Sequence, residues 1–350
     1  MPRAASSRRP ARILHAPWNI AGNPYGLSRA ERELGFKSDV MTFGSHVFGY
    51  EEDINLGVDT FDTWEVRRKK LRFLLWALPR YDVFHFNFSQ TIMMSYGERR
   101  VYSELPFLRA IGKTILATFQ GDDARPPADN PWGPKDPVYL EREARYQHRR
   151  RGLLLRYAHR CFYINPDLRR YLPGAEFRPY ANVDPRRITP APFQERDEVV
   201  VAHAPSHRGI KGTEFVLAAV EALRAEGLPL RLDLIEGVSN QEALERVAAA
   251  DLSVDQLNLG WYGGYAVECM ALGRPVVCHM REDYNPWGDQ LPIVRADRAT
   301  LRDALRDLVQ HRDRIRELGR KSRAFVEWAH DPRRVARQNL EGLVPIPGGG

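Results

Sequence analysis

Cysteine is scarce in the 350-residue chain. There are three, Cys161, Cys269 and Cys278, an odd number set among apolar neighbours. A disulfide framework is therefore not expected, and a reducing cytoplasm is the natural compartment. Long hydrophobic runs are also missing. The longest candidates, 71–78 and 152–155, are short and flanked by Arg or Lys, so neither reaches bilayer-spanning length. Residues 1–12 lack the apolar stretch of a secretory leader, and 1–11 reads as a disordered Arg- and Ser-rich tail. No Gly-x-Gly-x-x-Gly follows the first strand, which disfavours a dinucleotide site. No basic–aromatic platform or helix-turn-helix pattern supports nucleic-acid binding. No internal repeat is visible.

What is present fits two α/β domains. The length suits two cores of ordinary size, and 43% of residues are hydrophobic. Charge is uneven. Residues 1–190 carry 31 Lys+Arg against 21 Asp+Glu, a net of +10, and residues 191–350 carry 21 against 24, a net of −3. The basic half suits an anionic partner such as a membrane surface or a phosphorylated acceptor, or it is a set of solvated faces. A helix pattern over 64–78 puts Leu71, Leu74, Leu75 and Leu78 on one face beside Arg67-Arg68-Lys69-Lys70. That pattern fits either sheet packing with solvated charges or a membrane-surface helix. The basic stretch His148-Arg-Arg-Arg151 lies in a second helical segment, 138–160, and leaves the same choice open.

Apolar strand patterns end in polar or Gly-rich loops throughout. The first, Arg12-Ile-Leu-His-Ala16, runs into a loop holding Gly22 and Asn23, where a parallel sheet binds ligands. The strand Tyr81-Asp-Val-Phe-His-Phe-Asn-Phe88 carries His85. The strand over 112–119 leads to Gln120, Asp122, Asp123 and Arg125. Prolines over 185–192 mark a boundary between domains 12–188 and 189–331, and 332–344 forms a last helix. In the second domain the strand 198–204 leads to Pro205-Ser-His-Arg-Gly-Ile-Lys-Gly-Thr213. The strand 230–235 leads to Glu236-Gly237-Val238. Asp255-Gln-Leu-Asn-Leu-Gly-Trp-Tyr-Gly-Gly-Tyr-Ala-Val-Glu-Cys-Met-Ala-Leu-Gly-Arg-Pro-Val-Val277 reads as strand end, Gly-rich turn, short helix, turn and strand. Val267, Met270 and Ala271 have the spacing of a buried helical face, and Gly273 with Pro275 stops the helix. A helix starting after glycines at a strand end aims free N–H groups into a crevice suited to a diphosphate. Glu268, one turn in, can accept hydrogen bonds from sugar hydroxyls.

Glu268-Cys-Met-Ala-Leu-Gly-Arg-Pro-Val-Val277 resembles the donor-site motif of family-4 glycosyltransferases, retaining enzymes of the GT-B fold. Arg208 and Lys211 match the family's diphosphate-clamping Arg and Lys-Gly pair. The family's upstream Glu is Gly260 here, and its His at position 120 is Gln120. The resemblance implies two Rossmann-like doubly wound domains facing a cleft, with residues 332–344 crossing back to the first. It implies transfer of a hexose-like sugar from a nucleotide diphosphate donor to a glycan, lipid-linked or secondary-metabolite acceptor, without a cofactor or essential metal. Arg208, Lys211 and His85 take catalytic roles. Gly22, Val238, Gly264, Tyr265, Ala266 and Glu268 bind the donor. Asn23, Gln120, Asp122, Asp123 and Arg125 contact the sugar or acceptor. A cytoplasmic enzyme is expected, with peripheral contact at an anionic inner membrane face. Two alternatives remain: a sugar-nucleotide epimerase on the same fold, and a non-catalytic sugar-nucleotide-binding protein. With Glu absent at Gly260, either Asp255 or backbone takes over that contact, or the first domain binds more of the sugar.

Overall fold

The computed structural model describes residues 9–45, 48–58, 63–94, 103–129 and 136–347. Most of the expected tail 1–11 lies outside these residues, as does much of the Pro-rich stretch 129–137. Among the described residues one sheet has seven strands: β1 (Arg12–Ala16), β2 (Lys37–Thr42), β3 (Ile54–Asn55), β4 (Val83–Asn87), β5 (Thr114–Phe119), β6 (Arg160–Tyr163) and β7 (Glu176–Phe177). The other has five: β8 (Val199–His203), β9 (Leu230–Leu234), β10 (Leu252–Val254), β11 (Val276–Cys278) and β12 (Val294–Arg295). The helices are α1 (Asn23–Glu33), α2 (Trp64–Ala77), α3 (Leu105–Ala110), α4 (Pro137–Tyr157), α5 (Arg208–Lys211), α6 (Thr213–Ala225), α7 (Asn240–Ala249), α8 (Gly264–Ala271), α9 (Leu301–Gln310), α10 (Arg312–Ala329) and α11 (Pro332–Leu340).

Both sheets are parallel, with orders β3-β2-β1-β4-β5-β6-β7 and β12-β11-β10-β8-β9. In each, strand order reverses beside the domain's first strand: at β1/β4 and at β8/β10. Crevices at the carboxyl ends of such strands are where doubly wound sheets bind ligands. Apolar residues cover both faces of each sheet, as the strands' near-continuous Val, Ile, Leu and Phe require. Helix α11 packs on α1, and Leu340 joins Ile13, Phe36 and Val83 beneath the first sheet.

Two elements depart from the sequence pattern. Helix α1 starts at Asn23, inside the loop expected after the first strand, because left-handed Gly22 and an early proline begin it there. Helix α2 buries Lys70, Phe73, Leu74 and Ala77, while Leu71 and Leu75 are 47% and 58% exposed. The helix is turned from the expected Leu face. Lys70 is drawn inward, its ammonium 4.4 Å from the centre of the Phe43 ring.

Glycine is obligatory where α1 meets the chain between the sheets. A Cβ on Gly26 would lie 1.9 Å from the Ala181 carbonyl oxygen. Gly26→Ala is expected to lower stability by about 3 kcal/mol or more, because backbone has to move. Denaturant unfolding measures this, and an unchanged midpoint would refute the packing.

Candidate functional site

The carboxyl ends of β8, β9 and β10 frame a cavity of ≈ 290 Å³. A second of ≈ 380 Å³ adjoins it, and the two share Ala21, Phe48, Tyr50, Ser239, Asn240 and Glu268. Residues 20–22, 48 and 50 of the first domain face the second domain across them. Together the cavities reach the size range of small-molecule sites.

The loop after β8 is built to place one cation. Left-handed Gly212, φ +77°, ends α5 against Leu257, where a Cβ would approach Leu257 Cβ to 3.1 Å. This turn delivers Lys211 to the cavity wall. Its Nζ donates to Asp255 Oδ1 at 2.5 Å and to Gln256 Oε1 at 3.2 Å. The other Asp255 oxygen accepts the Gly263 N–H at 2.8 Å. One buried carboxylate thus orients both the lysine and the Gly-rich turn. Asp255 is fully buried and lines neither cavity, so its role here is positioning. His203 ties β8 to its neighbours. Nδ1–H donates to the Val254 carbonyl at 2.8 Å, which leaves Nε2 to accept from Thr213 Oγ1 at 2.9 Å. Burial pushes its pKa down to about 4, so it stays neutral.

The turn after β10 feeds α8. Gly264 and Tyr265 line the first cavity, and Ala266 does not. The Ala266 N–H is taken by the Gly263 carbonyl at 3.1 Å. Gly264 also lets the domains meet, since a Cβ there would lie 3.3 Å from Asn182 Nδ2 and 3.4 Å from Ala21 Cβ. Glu268 lines both cavities, and Asn240 Nδ2 donates to it at 3.2 Å. Burial chiefly raises its pKa to about 7. The Asn240 hydrogen bond opposes the rise, the Asp255 charge adds to it and the Lys211 charge opposes it.

Arg208 stands outside the cavity lining. Its guanidinium forms a fork on Glu236, with both contacts at 2.8 Å, and a further bond to Glu214 at 3.0 Å. Glu236 and Val238 do line the cavity. Gly22 lines the second cavity. Asn23 is buried and accepts the Ala181 N–H at 2.7 Å, a link between α1 and the interdomain segment.

The other residues expected on the first domain's side of the cleft, His85, Gln120, Asp122, Asp123 and Arg125, line neither cavity. His85, expected beside the transferred sugar, is fully buried in β4 and bonded to Thr118 Oγ1 at 2.7 Å. Burial holds it well below the ordinary histidine range. Asp123 caps its own loop, accepting the N–H groups of Gln120 and Gly121 at 2.9 and 2.7 Å. Burial raises its pKa to about 6. Arg125 is held by Asp122 at 2.5 Å and by Asp167 at 2.8 and 2.9 Å. The Gln120 amide donates to Asn87 at 3.5 Å, and its Oε1 is buried without a partner among the described residues. Non-glycine residues with positive φ, Ala21, Phe88 and Ser89, follow β1 and β4. Such strain collects at functional edges.

The segment in place of the family's first Glu is core. Gly260 has φ +76°, and a Cβ there would approach Arg281 Cγ to 2.7 Å. Trp261 and Tyr262 are buried, their rings stacked at 4.4 Å. Trp287 Nε1 donates to the Tyr262 hydroxyl at 3.1 Å. That hydroxyl donates to His330 Nε2 at 3.1 Å, and His330 Nδ1–H donates to the Tyr180 carbonyl at 2.8 Å. Sequence patterns did not single out Tyr50, Phe48, Ser239 or Asn240. The aromatic pair sits in an irregular loop without periodicity. Ser239 and Asn240 did carry a signal, since Ser239 caps α7 through the Glu242 N–H at 3.2 Å.

No protein-family model matches the chain, and no curated protein does. Solved structures do. Sucrose-phosphate synthase from Thermosynechococcus elongatus is 16% identical with a TM-score of 0.64, over 95% of this chain and 97% of that one. Anabaena HepE in complex with UDP-glucose is 12% identical with a TM-score of 0.59, over 95% and 98%. A UDP-N-acetylglucosamine 2-epimerase is 11% identical with a TM-score of 0.55, over 95% of each chain. The chain has the fold of these proteins, two Rossmann-like domains facing a cleft, the GT-B arrangement.

Proposed function

We propose that this protein is a retaining glycosyltransferase that moves a sugar from a nucleotide diphosphate donor to an acceptor hydroxyl. The observation that carries the reading is the pairing, in one cavity, of Lys211 and the α8 N-terminus with Glu268 one turn further on. That is a place for a diphosphate beside a place for a ribose. Lys211, held by Asp255, faces the phosphates, and the backbone at Gly264 and Tyr265 faces them from the helix start. Glu268 accepts from ribose hydroxyls, and Glu236–Val238 border the base. Arg208 exchanges its surface pairing with Glu236 for the diphosphate as the donor enters. Further support comes from the fold, shared with HepE, which was captured with UDP-glucose.

Transfer then needs no protein nucleophile. The anomeric C–O bond to the diphosphate breaks, the acceptor oxygen bonds to the same face, and the departing phosphate oxygen takes the hydroxyl proton. The protein positions the reactants and stabilises the leaving charge. Gly22, expected at the donor, borders the second cavity, and Asn23, expected to touch sugar or acceptor, sits behind it. Gln120, Asp122, Asp123 and Arg125 shape the loop beyond β5, as His85 does the strand beside it. No cofactor or metal enters this step.

Titration with UDP, GDP and TDP, followed by donor hydrolysis and transfer assays, tests the reading. One nucleotide is expected to bind with micromolar affinity, and binding of none would overturn it. The epimerase structure among the neighbours favours a second reading. Incubation with donor alone separates the two, because only an epimerase converts the sugar without an acceptor.

A lipid-linked or membrane-borne acceptor fits the outward face of α2. Leu71, Leu75 and Trp76 are exposed there beside Arg68 and Arg72, an apolar face framed by cations. His148-Arg-Arg-Arg151 is a weaker candidate, since Arg150 is buried against Glu143 at 2.9 Å and Arg151 bonds the Ala124 carbonyl at 3.0 Å. No helix among the described residues is long and apolar enough to cross a membrane. Arg68→Glu/Arg72→Glu is expected to weaken co-sedimentation with anionic phosphatidylglycerol vesicles by about tenfold or more, at about 1 kcal/mol per surface charge. Equal sedimentation of variant and wild type would sink this contact.

A further inference from the structure

We infer that the first domain holds a divalent transition-metal ion, zinc by its ligand preferences, between β1, β4 and α1. His15 and His85 are register partners on the adjacent strands β1 and β4, with ring centroids 4.7 Å apart. Glu31 reaches them from α1. One ligand atom from each of the three lies within 4.8 Å of the other two, and all three residues are buried. They come from three separate stretches of chain and converge in one buried layer. None lines the donor cavity, so the inference does not rest on the glycosyltransferase reading.

The protein alone leaves this layer unsatisfied. His15 Nε2 meets Glu31 Oε2 at 2.9 Å, and Ser38 Oγ donates to the same oxygen at 2.6 Å. His85 Nε2 meets Thr118 Oγ1 at 2.7 Å. The other atoms, His15 Nδ1, His85 Nδ1 and Glu31 Oε1, find no hydrogen-bond partner among the described residues. Neither does Ser28 Oγ, one turn before Glu31 on α1. Buried polar atoms are otherwise almost always paired. A divalent cation in this layer supplies a partner for the orphaned imidazole and carboxylate atoms.

The donor set is chemically suited. Two imidazoles and a carboxylate bind zinc well, with the fourth position left for a water or hydroxyl. Ligands around one zinc stand roughly 3.3 Å apart, given bonds of about 2.0–2.1 Å. Closing from the present spacing needs shifts of roughly 1 Å or less, within reach of small side-chain rotations. The position is sealed on all sides, so the ion ties α1 to the sheet and takes no part in turnover. Helix α1 is also the helix whose preceding loop borders the cleft.

The test is the metal content of the intact protein. The chain is expressed with zinc, dialysed against chelator and measured by inductively coupled plasma mass spectrometry. About one zinc per chain is expected. His15→Gln/His85→Gln is expected to hold less than about a fifth of that. Because that variant can fail to fold, the wild type is also refolded with cobalt alone. The intense visible absorption of a tetrahedral cobalt site is expected, with a melting temperature above that of the metal-free refolded chain. No bound zinc together with no cobalt spectrum would overturn the inference, leaving a metal-free hydrogen-bond network. Equal zinc in a folded double variant would overturn it too.

Discussion

Lys211→Ala is expected to lower donor-dependent transfer by about 10²–10³-fold, the loss typical when a preorganised donor to developing charge is removed. It is also expected to destabilise the fold. Asp255 stays fully buried with its cation gone, and breaking a buried pair from one side costs about 3–5 kcal/mol. The two effects separate in a second variant. Lys211→Ala/Asp255→Ala removes the stranded charge and is expected to recover much of the stability while transfer stays lost. The Gly263 N–H then lacks its acceptor, so recovery falls short of complete. Arg208→Ala provides the contrast, because its pairs with Glu236 and Glu214 lie at the surface. Transfer is expected to fall with the melting temperature unmoved. Wild-type transfer by a folded Lys211→Ala protein would remove the diphosphate assignment.

Glu268→Gln is expected to raise stability and lower nucleotide affinity, with the first effect set by pH. The carboxyl of Glu268 titrates near 4.5 in an unfolded chain and at about 7 in the folded one. The folded state therefore binds the extra proton between these values, and stability falls as pH rises through that window. At pH 4.5 the folded state is protonated and the unfolded chain half so, and the variant gains little. At pH 8 the penalty is fully developed, about 3 kcal/mol at 1.36 kcal/mol per unit, and the variant escapes it. Affinity moves the other way. Replacing an ionised acceptor by an amide is expected to weaken nucleotide binding about tenfold to a hundredfold, the range for hydrogen bonds to charged groups. Wild-type affinity is likewise expected to drop as pH falls below 7. Melting curves of both proteins from pH 4.5 to 8, with nucleotide titrations at the two ends, measure this. A melting difference independent of pH would rule out a buried, strained carboxylate.

The second domain's side of the cavity was readable because its signals are local. Strand, Gly-rich turn, Glu268 and the stop at Gly273-Arg274-Pro275 follow one another within one stretch, and hydrophobic spacing alone places Val267, Met270 and Ala271 inward, where they are fully buried. Lys211 follows the same logic, a cation one Gly-punctuated turn beyond a buried strand. The doubly wound class follows from the alternation of apolar strands and amphipathic helices. The pattern also marked the loop after β1 as a crevice loop, and Gly22 there lines the second cavity.

Packing between distant segments decided the rest. Which face of α2 turns inward was settled by the burial of Phe73 and the seating of Lys70 on Phe43, not by the count of leucines. Trp261 and Tyr262 lie in the stretch read as a Gly-rich turn. His330 from the end of α10 and Tyr180 from the interdomain segment claim them for the core. Asp255 looked like a stand-in for the missing Glu, until Lys211 and Gly263 took both of its oxygens. His85 read as a cleft residue at a strand end. Its neighbours His15 and Glu31, remote in sequence, place it in a sealed polar layer instead. The chain by itself determined the doubly wound class and the strand–turn–helix stretch around Glu268, because period, turn and cap are properties of adjacent residues. The tertiary structure alone decided which polar side chains face the cleft and which face each other, because that depends on what the rest of the chain brings against them.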